Sequence, residues 1–271
     1  MFNVIVAKDL LDLQSNEKIF IADCRFELSD PGLGRKQYID GHIPGAVYLS
    51  LDDDLSAPIT EHGGRHPLPT VERMTDLFGT LGIERNQTRV VAYDDSGSPF
   101  AARLWWMLRY LGHDNVQVLD GGWSAYLEAG GTVTKVIPET SPTTFIPDVQ
   151  HSMRVDMKAV RELTDRSGLF DCRSAERYRG ENETIDPKAG HIPGAKTLPW
   201  RENLTDQNAF LPVESLRQRY GTLPPQPVMY CGSGVTACVN ILAMEHAGMH
   251  GARLYPGSWS DWISYDENEI E

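Results

Sequence analysis

Ile21-Ala22-Asp23-Cys24-Arg25 and Leu169-Phe170-Asp171-Cys172-Arg173 are two copies of one pattern, 148 positions apart (23 and 171). Each is a short apolar run that closes on aspartate, cysteine and arginine. Each is followed by a second shared block, His42-Ile43-Pro44-Gly45-Ala46 and His191-Ile192-Pro193-Gly194-Ala195. Farther along, Val90-Val91-Ala92-Tyr93-Asp94 is answered by Pro227-Val228-Met229-Tyr230-Cys231. Asp120-Gly121-Gly122-Trp123-Ser124 is answered by Pro256-Gly257-Ser258-Trp259-Ser260. Four blocks in the same order, with little drift in spacing, define a duplicated domain and not a short-period solenoid.

Within each half the pattern is β/α. Residues 18–22, 47–50 and 89–93 of the first half, and 168–171, 196–199 and 226–230 of the second, are short apolar runs bounded by turn residues, as buried strands require. Residues 101–111 and 235–247 predict helices, stopped by Gly112 and Gly248 at the expected C-terminal glycine position. Strands alternating with helices imply an α/β fold, with two mainly parallel sheets each covered by helices on both faces. We expect domains at 1–137 and 153–271. Pro138, Pro142 and Pro147 make 138–152 an extended, exposed linker.

Composition narrows the function. The 271 residues carry a formal net charge of −13, which offers nucleic acid no electrostatic footprint. No apolar run of about 18 residues exists to cross a membrane. Met1–Asp9 has neither a basic region followed by an apolar stretch nor an Arg-rich transit pattern, so the expected location is the cytoplasm. The four cysteines, 24, 172, 231 and 238, are too few for a disulfide scaffold, and no pair has the CxxC spacing of a zinc or dithiol site.

Of these cysteines, Cys231 has the setting of a nucleophile. Ligands on parallel sheets bind at the carboxyl ends of strands, and the strand ending at Tyr230 delivers Cys231 there. Gly232-Ser233-Gly234-Val235-Thr236 then lead into a helix. Two glycines permit a tight loop that turns several N–H groups toward one point, and the helix adds its positive end. A cysteine at that point favours its thiolate, the nucleophilic form. Cys24, Cys172 and Cys238 read as core residues. His42 and His191, in tight turns, read as structural. Trp105, Trp106 and Trp123 read as core, while Trp259 is a candidate pocket wall.

Cys-Gly-Ser-Gly-Val-Thr-Ala-Cys (231–238) resembles the active-site loop of the rhodanese superfamily, in the form associated with mercaptopyruvate sulfurtransferases. The paired His-Ile-Pro-Gly-Ala blocks, the Asp-Cys-Arg strand ends and Gly257-Ser258-Trp259 are similar to its other motifs, over nearly the whole chain. The resemblance implies tandem rhodanese-like domains, the first inactive, consistent with Asp94 standing where the second has Cys231. It implies a ping-pong transfer of one sulfur through a Cys231 persulfide, with no metal or organic cofactor. The donor would be 3-mercaptopyruvate or thiosulfate, and the acceptor cyanide, a small thiol or a protein thiol such as thioredoxin. Thiosulfate-type relatives carry Arg and Lys after the cysteine; Gly232 and Ser233 here favour mercaptopyruvate.

The resemblance also assigns Arg177 to the donor's carboxylate, and the loop residues Gly232, Gly234, Val235 and Thr236 to its surroundings. It places Ser233 in a relay with Asp52 and His66. A second arginine is expected about nine residues after Arg177. The chain has Asp186-Pro187-Lys188 there, and Lys188 is the candidate substitute, without a guanidinium's fork. A phosphatase on the same fold would need an arginine six residues after the cysteine, where Ala237 stands. A scaffold without catalysis would not need to keep Cys231 with its glycine loop.

Overall fold

The structure, a computed structural model, describes residues 3–16 and 19–271, with only the backbone of Ser15. Lys18, the first residue of one predicted strand, lies outside the described residues.

The first half contains β1 (Val4–Ile5), α1 (Ala7–Asn16), β2 (Ile19–Asp23), α2 (Leu33–Asp40), β3 (Ala46–Tyr48), α3 (Val71–Thr80), β4 (Arg89–Tyr93), α4 (Pro99–Tyr110), β5 (Val116–Leu119) and α5 (Gly122–Glu128). Among the described residues its strands form a five-stranded sheet ordered β1-β5-β4-β2-β3, with every pairing parallel. Residues 90–93 are buried on both faces, which explains their unbroken apolar run. Val91 and Tyr93 pack with Ala7 and Leu10 of α1 and Tyr126 of α5. α4 packs on β4 and β5, with Trp105 and Trp106 fully buried.

The second half repeats this plan with α6 (Met157–Arg161), β6 (Leu169–Asp171), α7 (Ala175–Tyr178), β7 (Lys196–Thr197), α8 (Val213–Tyr220), β8 (Val228–Tyr230), α9 (Ala237–His246), β9 (Arg253–Leu254) and α10 (Ser258–Trp262). Its parallel sheet is ordered β7-β6-β8-β9. A parallel bridge from Arg154 to Leu254 stands where β1 stands in the first sheet. Val160, Leu169, Val228, Tyr230, Trp259 and Trp262 form one apolar cluster. Trp259 is fully buried and its indole N–H donates to the Lys188 carbonyl, so it is core packing and not an open pocket wall.

The same bracing holds both sheet ends. Arg25 clasps Asp23 and donates to the Gly41 carbonyl at 2.7 Å; Arg173 clasps Asp171 and donates to the Gly190 carbonyl at 2.6 Å. Each guanidinium lies over a tryptophan, Arg25 on Trp123 at 4.5 Å and Arg173 on Trp259 at 4.8 Å. These charges are buried, so the pairing and the extra carbonyl bonds offset their lost hydration. His42 and His191 stack on Tyr38 and Tyr178 and hydrogen-bond the carbonyls of the same residues, a structural role in both repeats.

Chain order and compact units differ in places. The first unit comprises Met1–Ser56, Pro69–Gln150 and Leu204–Phe210, and the second Ala57–Leu68, His151–Asn203 and Leu211–Glu271. Residues 57–68, which the sequence assigns to the first domain, therefore pack within the second unit. Gly63 donates to Asp261 Oδ1 at 2.7 Å, Arg65 N–H to Ser260 Oγ at 3.1 Å, and the His62 ring stacks on Tyr265. The proline-rich linker is extended but not free. Phe145 is buried against Phe78, and Thr143, Asp148 and Gln150 donate to the carbonyls of Gly79, Leu111 and Tyr110. An apolar ring that can be covered is driven out of water, which overrides the exposed path expected of a Pro/Thr/Ser segment. Among the described residues no helix is long and apolar enough to cross a membrane.

Candidate active site

Tyr230 ends β8, and Cys231 follows at the carboxyl edge of the sheet, its N–H donating to Ser258 Oγ at 3.0 Å. Its carbonyl accepts from Trp259 N–H and that of Gly232 from Ser260 N–H, so the start of the loop is tied to α10. Gly234 has φ +75°, and a β-carbon there would come within 2.1 Å of the Pro256 carbonyl oxygen. The position therefore requires glycine, for conformation and for space.

The first repeat displays what such a loop does with its amides. Asp94 is buried, and its carboxylate accepts from the N–H groups of Ser96 and Ser98 at one oxygen and of Phe100 and Ala101 at the other, at 2.9–3.0 Å. Burial pushes its pKa up, and the four amide bonds oppose that push. By the repeat, these amides correspond to those of Ser233, Val235, Ala237 and Cys238. Among the described residues none accepts from the loop N–H groups of Ser233 or Val235. The second nest thus keeps donors that the first spends on its own aspartate.

Cys231 is 1 % exposed, but polar groups lie around its loop. His66 Nδ1 is 2.7 Å from Ser233 Oγ, which unites two of the residues expected in the relay. Asp52 belongs to the first unit, in the turn after β3; partial loss of water and the neighbouring Asp53 raise its pKa. The expected carboxylate-binding residue, Arg177, is in the second unit. Its Nε donates to Glu183 at 2.9 Å and its Nη2 to Asp186 at 2.8 Å. Burial pushes the Glu183 pKa up, but the bonds from Arg177 and from the N–H groups of Asp186 and Ile185 bring it below its ordinary value.

A second cation lies here that the sequence did not single out. Arg65 donates to Asp186 from Nε at 2.8 Å and from Nη2 at 3.3 Å. A β-carbon on Gly232 would come 2.8 Å from Arg65 Nη2 and 3.5 Å from Nη1 and Nη2 of Arg177. Both guanidinium groups therefore lie against the α-carbon that follows Cys231. Their side chains remain 28 % and 18 % exposed, so this is the solvent-facing side of the cysteine loop. Lys188 does not join them. Its ammonium donates to the Ile263 carbonyl at 3.1 Å and faces Asp266. The only hint of Arg65 in the sequence was its place beside His66.

The other thiols differ. Cys24 and Cys172 are fully buried, and desolvation together with nearby Asp94 and Cys231, respectively, pushes their pKa values well up, so they stay protonated. Cys238 Sγ donates to the Gly234 carbonyl at 3.4 Å and stays in the base of the loop.

Two parallel-sheet repeats with a cysteine–glycine loop in one and an aspartate in the other define a tandem rhodanese-like architecture, and the comparisons agree. Residues 6–129 and 156–265 each match the rhodanese-like domain, and the chain belongs to the rhodanese family of sulfurtransferases. It is 41 % identical over 270 residues to a probable 3-mercaptopyruvate sulfurtransferase of Pseudomonas aeruginosa, covering 96 % of this chain and 95 % of that one. It is 33 % identical over 242 residues to a thiosulfate sulfurtransferase of Bos taurus, covering 84 % and 80 %. Among solved structures it resembles a 3-mercaptopyruvate sulfurtransferase from Leishmania major, with TM-score 0.82 and 29 % identity, covering 95 % of this chain and 74 % of that one.

Proposed function

We propose that the chain moves a sulfur atom from 3-mercaptopyruvate, through a persulfide on Cys231, to a thiol or cyanide. The observation that carries this reading is the pair of equivalent loops. Where Asp94 places a carboxylate among four amides, Cys231 presents a sulfur, and the outer sulfur of a persulfide would extend to where that carboxylate sits. Backbone N–H groups pre-aimed at an anion stabilise it without reorganisation.

The chemistry balances without a cofactor. The Cys231 thiolate attacks the donor's sulfur, an S–S bond forms and the donor's C–S bond breaks. The electron pair passes to the methylene carbon of the leaving enolate. The proton carried by the donor's thiol ends on that carbon, giving pyruvate and an anionic persulfide. Ser233 and His66, in contact at 2.7 Å, are suited to pass that proton, and Asp52 is a further candidate in the relay. Cyanide then takes the outer sulfur as thiocyanate. A protein dithiol such as thioredoxin instead becomes a disulfide and releases hydrogen sulfide. Both acceptors return the Cys231 thiolate, which is a ping-pong cycle.

Mercaptopyruvate is favoured over thiosulfate because Gly232 and Ser233 supply no charge for a dianion, while Arg177 offers a fork for one carboxylate. A cytoplasmic location suits the reading, since reducing conditions keep the four thiols free. The test is steady-state turnover of both donors by the native chain and by Cys231→Ser, with intact mass after incubation with donor alone. We expect preference for mercaptopyruvate, a gain of one sulfur by the native chain, and loss of both activities in the variant. Equal or better turnover of thiosulfate would refute the donor, and turnover of an aryl phosphate would refute the class.

A further inference from the structure

We infer that Asp261 is a positioning residue for the proton relay: its carboxylate holds the segment that carries His66 in the same frame as Cys231. The inference rests on the sulfurtransferase reading. Residues 57–68 close on themselves, with Ala57 N–H donating to the Pro67 carbonyl at 2.8 Å, and they pack within the second unit along α10 and the turn after it. Gly63 N–H donates to Asp261 Oδ1 at 2.7 Å, Arg65 N–H to Ser260 Oγ at 3.1 Å, and His62 Nδ1 lies 2.9 Å from Ser264 Oγ. A β-carbon on Gly64 would come within 2.5 Å of the Gly257 carbonyl oxygen and 2.7 Å of Ser260 Oγ, so the backbone lies against α10 with no room for a side chain. Three residues on from Gly63, His66 Nδ1 meets Ser233 Oγ at 2.7 Å. The same helix holds the thiol. Ser258 Oγ accepts from Cys231 N–H, and the N–H groups of Trp259 and Ser260 donate to the carbonyls of Cys231 and Gly232. One helical turn therefore fixes both the nucleophile and the histidine.

The carboxylate itself is held from both sides. Asp261 is 5 % exposed, and its Oδ2 accepts from the Tyr255 hydroxyl at 2.7 Å. Burial and the adjacent Asp261 push the Tyr255 pKa well up, so the hydroxyl keeps its proton and remains a donor. Burying a carboxylate is costly unless its oxygens are paired, and the fold does not require one here. One residue before and one residue after the shared block, the first repeat has Leu119 and Ala125 where the second has Tyr255 and Asp261. Leu119 belongs to the apolar core of its sheet. The polar pair occurs in the repeat that receives residues 57–68 and not in the other.

The experiment compares Asp261→Ala, Asp261→Asn, His66→Ala and the combined Asp261→Ala and His66→Ala variant in the full chain. Pyruvate release from mercaptopyruvate needs a proton delivered to carbon. Loading of Cys231 by inorganic polysulfide and discharge by cyanide do not, and they report whether the cysteine loop is intact. Asp261→Ala is expected to lower kcat for mercaptopyruvate about ten- to a hundredfold. KM should change less, because Arg65 keeps its side-chain bonds to Asp186. Polysulfide loading, read by intact mass, and thiocyanate release should stay near the native values. Asp261→Asn, which keeps an oxygen for Gly63 N–H, should recover most of kcat. The combined variant should be no slower than His66→Ala alone, as two residues acting through one group require. Multiplied losses in the combined variant overturn the proposal, as does a native kcat in Asp261→Ala. An equal loss of polysulfide loading also overturns it, since Asp261 would then hold the whole loop and not the relay. Should Asp261→Ala fail to fold, Tyr255→Phe, which leaves the segment bound by a less firmly held carboxylate, is read against His66→Ala in the same way. If the native chain accepts sulfur from no donor, the underlying reading fails, whichever way the variants fall.

Discussion

The loops at 94–101 and 231–238 have the same backbone plan and opposite chemistry. Each follows the central strand of its sheet, each is tied back by a tryptophan N–H to the carbonyl of its first residue, and each leads into the buried helix. In the first, Asp94 saturates the amides, and Asp95 follows where the second loop has Gly232. In the second, a thiol replaces the carboxylate and two guanidinium groups occupy the space over the glycine. The anion nest is thus a property of the fold. The two repeats differ in the group that fills it and in the cations gathered beside it. Asp94 makes its loop a finished structural element; beside Cys231 the N–H groups of Ser233 and Val235 meet no acceptor among the described residues.

If the nests are equivalent, giving the second loop the first loop's residue should separate activity from stability. Cys231→Asp is expected to lower turnover of mercaptopyruvate about a thousandfold or more, as loss of a nucleophile does, without lowering the thermal transition. A lowered transition would show that the second loop cannot satisfy a carboxylate, and the comparison would break. The reverse removal is next in size. Asp94→Ala leaves four buried N–H groups without their acceptor and is expected to cost about 3–5 kcal/mol of stability by urea unfolding. Sulfur loading of Cys231 by intact mass should survive wherever the second unit stays folded.

Acid should divide the two halves in another way. His113 follows α4 and is fully buried; its Nδ1 accepts from Asn86 N–H and its Nε2 donates to the Asn115 carbonyl, which fixes the neutral ring. Burial lowers its pKa from 6.5 to about 4. The folded ring stays neutral down to that value while the unfolded one protonates from about 6.5, so stability is full above that pH and falls as pH drops through the window. The loss amounts to about 3 kcal/mol by pH 4. The equivalent position after α9 is Met249, which does not titrate. Hydrogen exchange at pH 7 and pH 4.5 should show the first unit loosening more than the second, and His113→Met should flatten that dependence. Equal loosening of both units would refute this account.

The smallest effect concerns Gly232. In Gly232→Ala the new methyl meets the ends of two flexible arginine side chains, not backbone. We expect the chain to fold with little change in thermal transition and KM for mercaptopyruvate to rise about tenfold, as one contact to the carboxylate is weakened. An unchanged KM would mean that the guanidinium groups do not approach the donor through this space.

Local pattern made much of this legible. The repeat blocks, the apolar strands at 89–93 and 226–230, and the helices ending before Gly112 and Gly248 all follow from burial and backbone preference, which act over a few residues. The same reasoning placed Cys231 at the end of the central strand of its sheet and matched it with Asp94 at the end of β4, as the structure has them. Spacing along the chain was a poor guide to the second cation. Lys188, near the expected position, turns toward Ile263 and Asp266, whereas Asp186 faces the arginines. A charged side chain on an irregular loop has no periodicity to show where it points.

The sequence by itself determined two α/β repeats, one cysteine at the carboxyl end of a central strand, and a carboxylate in the matching place of the other repeat. These depend on neighbours in the chain. Only the tertiary structure decided that His66 meets Ser233, 167 positions away, and that Arg65 lies over Gly232. Both come from residues 57–68, which sequence order assigns to the first domain and packing assigns to the second unit. That exchange is set by where partly buried bonds to Asp261, Ser260 and Asp186 can be made, and no short-range preference encodes it.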